Sequence, residues 1–230
     1  WNMVNDKNKY RLPKAQRVMV FAPHMDDESI GCGGALLMYR QLNCELKIVF
    51  LTNGKQGCPE EIKALRQRES ASAATLLGAE QLELYDLPDG LLSVTEELIM
   101  RICRHITAYQ PDLIFTPNLN DLHRDHIVTA AAVTEALRRS GGGQIAYYEI
   151  WNPIPNPNCF INISEVVSQK LELIRCYNSQ IKKYRLIPLI LSLNAYRAAF
   201  FPLKKYRFVE AYLLQTIGTT EDGDHCQPQF

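Results

Sequence analysis

Two short runs concentrate side chains that bind metal ions and move protons. Pro23-His24-Met25-Asp26-Asp27-Glu28 joins one imidazole to three successive carboxylates, and Asp121-Leu122-His123-Arg124-Asp125-His126 sets two imidazoles around a carboxylate. A helix cap needs a single carboxylate, so capping alone leaves His24 unexplained. Two imidazoles and one carboxylate suit Zn2+ and leave a coordination position for water, as catalytic zinc sites do. Such an ion polarises an amide carbonyl and brings its water toward a pKa of about 7. Of the adjacent Asp26 and Asp27, one can bind the metal while the other takes the proton.

These runs need a scaffold that brings them to one crevice. Residues 17–23 read as a short buried strand cut off by proline, 28–42 as a helix, and 45–52 as a second apolar strand. The alternation continues with a helix at 59–77 closed by Gly78, a strand at 81–87, a helix at 94–109 and a strand at 111–116. A helix at 125–139 and a strand at 144–151 follow. Parallel strands need crossover connections, so the expected fold class is α/β: a Rossmann-like, mostly parallel twisted sheet with helices on both faces. Both runs then sit at the carboxyl edge, where the first and fourth strands are neighbours and their crossovers diverge.

Beyond Trp151 the pattern loosens into a proline-fixed loop, a strand at 160–163, a capped helix at 164–177 and a late strand at 208–214. These C-terminal additions are expected to line the pocket. The apolar stretch 186–193 is short and holds Pro188, which favours a lid, core helix or subunit contact over a membrane anchor. The domain reading is a lead over 1–16, one domain over 17–218 (core 17–151, additions 152–218) and a disordered tail over 219–230.

Lys plus Arg and Asp plus Glu both number 25 in the 230 residues, so no bulk field draws the chain to nucleic acid or an anionic membrane. A 47% hydrophobic and 22% charged composition is that of a globular protein. No uncharged run reaches the roughly 18 residues of a spanning helix, which argues against stable membrane insertion. The seven scattered cysteines include no C-x-x-C pair, against a disulfide framework or cysteine zinc site. Cytoplasm is the default location, a small neutral substrate fits the charge balance, and self-association stays open.

The two runs resemble the H-P-D-D-E and H-x-D-H signatures of the LmbE-like, or PIG-L, family of zinc-dependent N-acetylglucosaminyl deacetylases, over residues 17–151. The resemblance implies His24, Asp27 and His126 as zinc ligands and Asp26 as general base. It implies His123 as the group that stabilises the oxyanion or protonates the departing amine, with Asp125 orienting it. Thr52-Asn53-Gly54 is similar to the family's T-x-G loop, Arg66-Gln67-Arg68-Glu69 to its R-x-x-E helix, and Leu87-Pro88-Asp89-Gly90 to its L-P-D-G turn. By that similarity Asn53 and Arg66 are candidates for holding substrate, or in Arg66's case the base. The competing reading of Arg66 is a solvated helix arginine, and Arg68 is its nearest rival. Met25 and Arg124 stand where the family commonly has proline, which bears on substrate range. The implied reaction is deacetylation of an N-acetyl sugar or other acylated amine, with Zn2+ or another divalent metal such as Fe2+.

Three rival readings start from the same residues. Gly31-Cys32-Gly33-Gly34 after a first strand suggests dinucleotide binding, but Leu36 breaks the G-x-G-x-x-G spacing and the acidic run repels pyrophosphate. Two histidines and an aspartate also match the facial triad of non-haem Fe(II) enzymes, known chiefly on antiparallel barrels. A metal-stabilised binding protein without turnover is the non-enzymatic alternative.

Overall fold

The computed structural model describes residues 11–55, 59–79, 81–201 and 206–219. Five strands alternate with four helices: β1 (Arg17–Ala22), α1 (Asp27–Gln41), β2 (Glu45–Lys55), α2 (Glu60–Leu77), β3 (Gln81–Asp89), α3 (Glu96–Tyr109), β4 (Leu113–Pro117), α4 (Arg124–Arg139) and β5 (Gly143–Tyr148). Then come β6 (Cys159–Asn162), α5 (Val167–Cys176), α6 (Asn178–Ile181), α7 (Leu186–Ala199) and β7 (Val209–Ile217). The sheet order is β3-β2-β1-β4-β5-β7-β6; β1 to β5 are mutually parallel, and β7 runs antiparallel between β5 and β6. The expected mostly parallel sheet is present, with β1 beside β4 at the point where the crossovers diverge.

Alternation along the strands divides the core into two layers, because successive side chains leave opposite faces. Val18, Val20, Ile48 and Phe50 pack under α1, α2, α5 and α7 with Leu36, Ala73, Ile174 and Ile190. Met19, Phe21, Val49 and Leu51 pack under α3 and α4 with Ile102 and Val133. Gly78, at φ 63°, ends α2 as a left-handed cap. The lead is tied down in part: Asp112 accepts the backbone N–H groups of Gln16 and Arg17 at 2.8 Å each.

Several boundaries differ from expectation, among them the ends of β2, β5 and β7, and two of the differences have a local cause. β3 runs on through Pro88 to Asp89, which is tolerated because β3 is an edge strand and the missing N–H breaks no inner ladder. Helix α5 starts at Val167 rather than Ser164 and has no side-chain cap. The Ser164 hydroxyl instead donates to Asn162 Oδ1 and accepts the N–H groups of Arg207 and Phe208, so it ties the end of β6 to the approach of β7. Cys32, Cys44, Cys103, Cys159 and Cys176 are free thiols. Cys58, Cys226 and residues 220–230 of the expected tail lie outside the described residues.

Buried charges fasten the C-terminal additions to the core. Glu210 on β7 accepts N–H groups of Gly34 and Ala35 in α1 at 2.8 Å each, the Lys170 ammonium of α5 at 2.7 Å and the Tyr212 hydroxyl at 2.6 Å. Lys170 also donates to Asn194 of α7 at 3.2 Å. Arg197 of α7 is buried against Glu149 and donates to the Ile154 carbonyl.

The glycines of α1 serve close packing, as the failed dinucleotide spacing suggests. A Cβ at Gly31 would enter the Tyr148 ring, and one at Gly34 would stand 2.6 Å from Ile163 Cγ2. Gly31→Ala is therefore expected to lower stability by about 1–3 kcal/mol, the usual cost of an overpacked core. Urea unfolding checks this; an unchanged midpoint would mean that Tyr148 moves aside freely.

Candidate metal centre and active site

Local backbone structure turns the two runs toward one another. After β1 the chain makes a tight turn in which the N–H groups of Asp26 and Asp27 both bond the His24 carbonyl. Asp26 takes φ 153°, a conformation L residues rarely adopt, and makes no side-chain capping bond to α1. Its carboxylate lines the cavity instead, so helix capping does not account for it. Across the β1/β4 junction, His123 caps α4, its Nδ1 accepting the Asp125 N–H at 3.2 Å. The third contributor is Asp89, at the end of β3.

The imidazoles converge. Ring centroids lie 4.7 Å apart for His24 and His123, 5.0 Å for His123 and His126, and 5.3 Å for His24 and His126. Asp27 Oδ2 stands 3.0 Å from His24 Nδ1 and 3.3 Å from His126 Nε2. The outer nitrogens are backed by other carboxylates: His24 Nε2 by Asp89 at 3.1 Å and Asp125 at 3.4 Å, His126 Nδ1 by Asp121 at 3.3 Å. Neither nitrogen of the buried His126 reaches hydrogen-bond geometry with a protein partner. Donors about 2.0–2.1 Å from one tetrahedral ion are spaced by roughly 3.3 Å, close to the 3.0 and 3.3 Å that separate Asp27 Oδ2 from the two imidazole nitrogens. Carboxylates behind ligating imidazoles are likewise the usual outer support of a metal site. The donor set thus fits a divalent cation. His24, His123 and His126 also bring ring nitrogens within 4.8 Å of one another, as do donor atoms of His24, Asp89 and Asp125.

Charge is distributed unevenly among these groups. Burial, then the neighbouring charge of Asp27, pushes the Asp26 carboxyl up to about 8. Burial would raise Asp27 as well, but His126 and His24 outweigh it and hold this carboxyl well below the usual range. Burial opposes protonation of His126, yet Asp27 and Asp121 carry it up to about 9. His123 is shifted the other way: burial, then the positive charges of His24 and His126, lower it below an ordinary histidine. With Nδ1 accepting a backbone N–H, a neutral His123 carries its proton on Nε2.

Asp125 does not hold His123 in the way the family resemblance implies. Its carboxylate accepts the N–H of Gly90 at 2.6 Å and of Leu92 at 3.3 Å and faces His24 Nε2; its backbone N–H is what reaches His123. The reason is position: as the second residue of α4, Asp125 points toward the β3–α3 connection. Glu28, 0% exposed, accepts the hydroxyls of Ser29 and Tyr177 at 2.5 and 2.6 Å. Asp89, Asp121 and Tyr177 went unassigned in the sequence reading. The first two could have been found there, since both lie inside quoted motifs at strand ends.

A cavity of about 140 Å³ opens over this cluster, lined at its base by His24, Asp26, Asp27, Asp89 and His123. Arg66 of α2 forms one wall and donates to the Met25 carbonyl at 3.3 Å. Trp151, Gln180, Lys183, Tyr184 and Leu186 form the outer wall, so the C-terminal additions do line the pocket. The Trp151 and Tyr184 rings meet edge to face at 6.1 Å. Asn53 is buried on β2 and is not among the lining residues; His126 and Asp125 lie beneath the cavity floor, both 0% exposed.

A parallel sheet with a histidine–aspartate cluster at its switch point defines an α/β scaffold built around a candidate metal centre, and comparison with known proteins narrows it. Residues 19–137 match the model of the PIG-L family, described as GlcNAc-PI de-N-acetylase. The chain belongs to this family of N-deacetylases, hydrolases of a linear amide C–N bond. A Bacillus anthracis relative named "Probable N-acetyl-alpha-D-glucosaminyl L-malate deacetylase 2" is 30% identical over 189 residues, covering 74% of this chain and 83% of that protein. The solved N,N'-diacetylchitobiose deacetylase of Pyrococcus horikoshii shares the fold at TM-score 0.78 and 23% identity, covering 88% of this chain and 84% of that one. GalB, a 4-carboxy-2-hydroxymuconate hydratase of Pseudomonas putida KT2440, superposes at TM-score 0.76 and 20% identity, over 88% and 96% of the two chains. A hydratase on the same scaffold shows that the fold alone does not set the reaction. Among the described residues no helix is long and apolar enough to cross a membrane.

Proposed function

We propose that this chain is a zinc-dependent deacetylase of an N-acetylglucosamine conjugate, releasing acetate and a free amine. The observation that carries the reading is Asp27 Oδ2 set between inner nitrogens of His24 and His126, each ring backed by a carboxylate on its other side. His24, Asp27 and His126 would hold the ion, and Asp89, Asp125 and Asp121 would orient the imidazoles. Bound there, the metal would polarise the acetamide carbonyl and acidify water.

The chain's own groups divide the remaining work. Asp26, raised by burial and beside the cluster, takes a proton from the attacking water and returns it to the amine nitrogen as the C–N bond breaks. His123, kept neutral with its Nε2 proton available, donates a hydrogen bond to the carbonyl oxygen as negative charge grows there. Of the two roles the resemblance implies for His123, this keeps oxyanion stabilisation and leaves protonation of the departing amine to Asp26. Arg66 and the outer wall orient the sugar, whose apolar face suits the rings of Trp151 and Tyr184.

The test is amine and acetate release from a panel of N-acetylglucosaminyl conjugates and diacetylchitobiose, with metal analysis of the purified protein. Turnover lost on chelation and restored by zinc supports the reading. Metal-loaded protein that releases no amine from any acetylated amino sugar refutes it.

A further inference from the structure

The C-terminal additions carry a charge pattern that the catalytic reading does not use. Between Glu172 and Glu210 the sequence holds eight Lys and Arg residues and no Asp or Glu, so that the rest of the chain, with 17 basic and 25 acidic residues, is net acidic. At the centre of this segment is α7, LIPLILSLNAYRAA, apolar around nearly its whole circumference. Helices of that composition are normally enclosed. This one is enclosed on one side only: Leu186, Ile190, Asn194, Arg197 and Ala198 are buried, while Pro188, Leu189, Ser192, Ala195, Tyr196 and Ala199 face outward. Leu189 is 36% and Tyr196 53% exposed. The helix's single charge, Arg197, is turned inward onto Glu149, which leaves the outer face uncharged.

Cations and aromatic rings frame that face at both ends. Lys182, Lys183 and Arg185 precede α7 and Arg207 follows it; all four are exposed, and among the described residues none has a carboxylate within ion-pair distance. Trp151 and Tyr184 pack together near one end, and Tyr196, Phe200, Phe201 and Tyr206 form ring contacts at the other. Aromatic rings and snorkelling basic side chains around an apolar strip are what the headgroup region of a bilayer accommodates.

We propose that the outer face of α7, with the basic residues at its ends, docks on an anionic lipid bilayer. Charge complementarity favours this occupant over a two-fold contact between copies, in which the cations flanking the two α7 faces would meet uncompensated. At 14 residues α7 is about 21 Å long, short of the roughly 30 Å hydrocarbon core, so it lies along the interface instead of crossing it. Tyr184 and Leu186 belong both to this region and to the wall of the cavity, so docking would set the cavity mouth beside the lipid surface. The inference does not depend on which amide the site cleaves.

Co-sedimentation of the full chain with vesicles tests it. Vesicles of equal phosphatidylglycerol and phosphatidylcholine should bind the protein, pure phosphatidylcholine should not, and raising salt to about 0.5 M should weaken binding by screening. Lys182→Gln/Arg185→Gln, which removes charge but little bulk, should lower affinity about tenfold or more. Leu189→Ser/Tyr196→Ser should lower it without altering the salt dependence. Arg104→Glu, an exposed change on α3, should leave binding intact. Absence of binding to the anionic vesicles overturns the proposal, as does equal loss in Arg104→Glu. So does a Leu189→Ser/Tyr196→Ser protein that binds vesicles normally but dissociates from a larger assembly in sedimentation velocity, since a second copy would then cover the face.

Discussion

Asp26→Asn is expected to keep a full complement of metal and lose about 10²- to 10⁴-fold in kcat, the usual contribution of a positioned acid–base group. The substitution preserves the size of the side chain and the backbone turn at φ 153°, and it removes only the ability to accept and return a proton. Because the group must be ionised to act as base, kcat/KM should also fall as pH is lowered through the Asp26 pKa. Burial sets that value at about 8 in the metal-free protein; a dication beside the carboxylate favours its charged form and moves the acid limb below 8. Metal stoichiometry measured alongside steady-state rates separates this outcome from loss of the site. Near-normal turnover in Asp26→Asn would assign the base elsewhere.

His126→Ala should instead empty the site. This ring is fully buried with both nitrogens outside hydrogen-bond geometry, so its removal takes a donor from the cluster and leaves Asp27 with one imidazole neighbour. Activity should drop to background and return only partly at high zinc. Asp121→Asn offers a graded comparison: it keeps the ligand and alters the group 3.3 Å behind it, which also accepts the backbone N–H groups of His123 and Trp151. Outer partners of that kind are worth about 10- to 100-fold in metal affinity. Competition titration with a chromophoric chelator reads both changes. Equal zinc affinity for wild type and His126→Ala would exclude His126 as a ligand.

The parts of this molecule legible in the sequence are those governed by local rules. Apolar runs such as 17–22 and 113–117 have to be buried strands, the strand–helix alternation imposes parallel pairing, and polar clusters after β1 and β4 must then share an edge. The convergence of His24, Asp27 and His126 follows from that topology. Side-chain direction does not. Asp125 lies two residues from His123 in one motif, yet its carboxylate turns to Gly90 and His24 because of its place in the first turn of α4. Ser164 has the form of a helix cap, but two backbone amides near β7 compete for its hydroxyl and win. The outer wall was least legible: Gln180, Lys183 and Tyr184 reach the cavity only because α5 packs on α1 and α2 and carries α6 and the following turn with it, and no periodicity encodes such a return.

The Glu210 carboxylate sets a limit on how far this enzyme's selectivity can be remodelled. It is shared by α1, α5 and β7, and Lys170 extends the connection to α7. Replacing the C-terminal third would leave the buried Glu149 of the core without Arg197, and changing Glu210 or Lys170 alone would strand the other's charge; each typically costs about 3–5 kcal/mol. A protein engineer seeking new substrates should therefore leave that anchorage whole and vary the short turn between α6 and α7, where exposed residues meet the cavity mouth without carrying the scaffold.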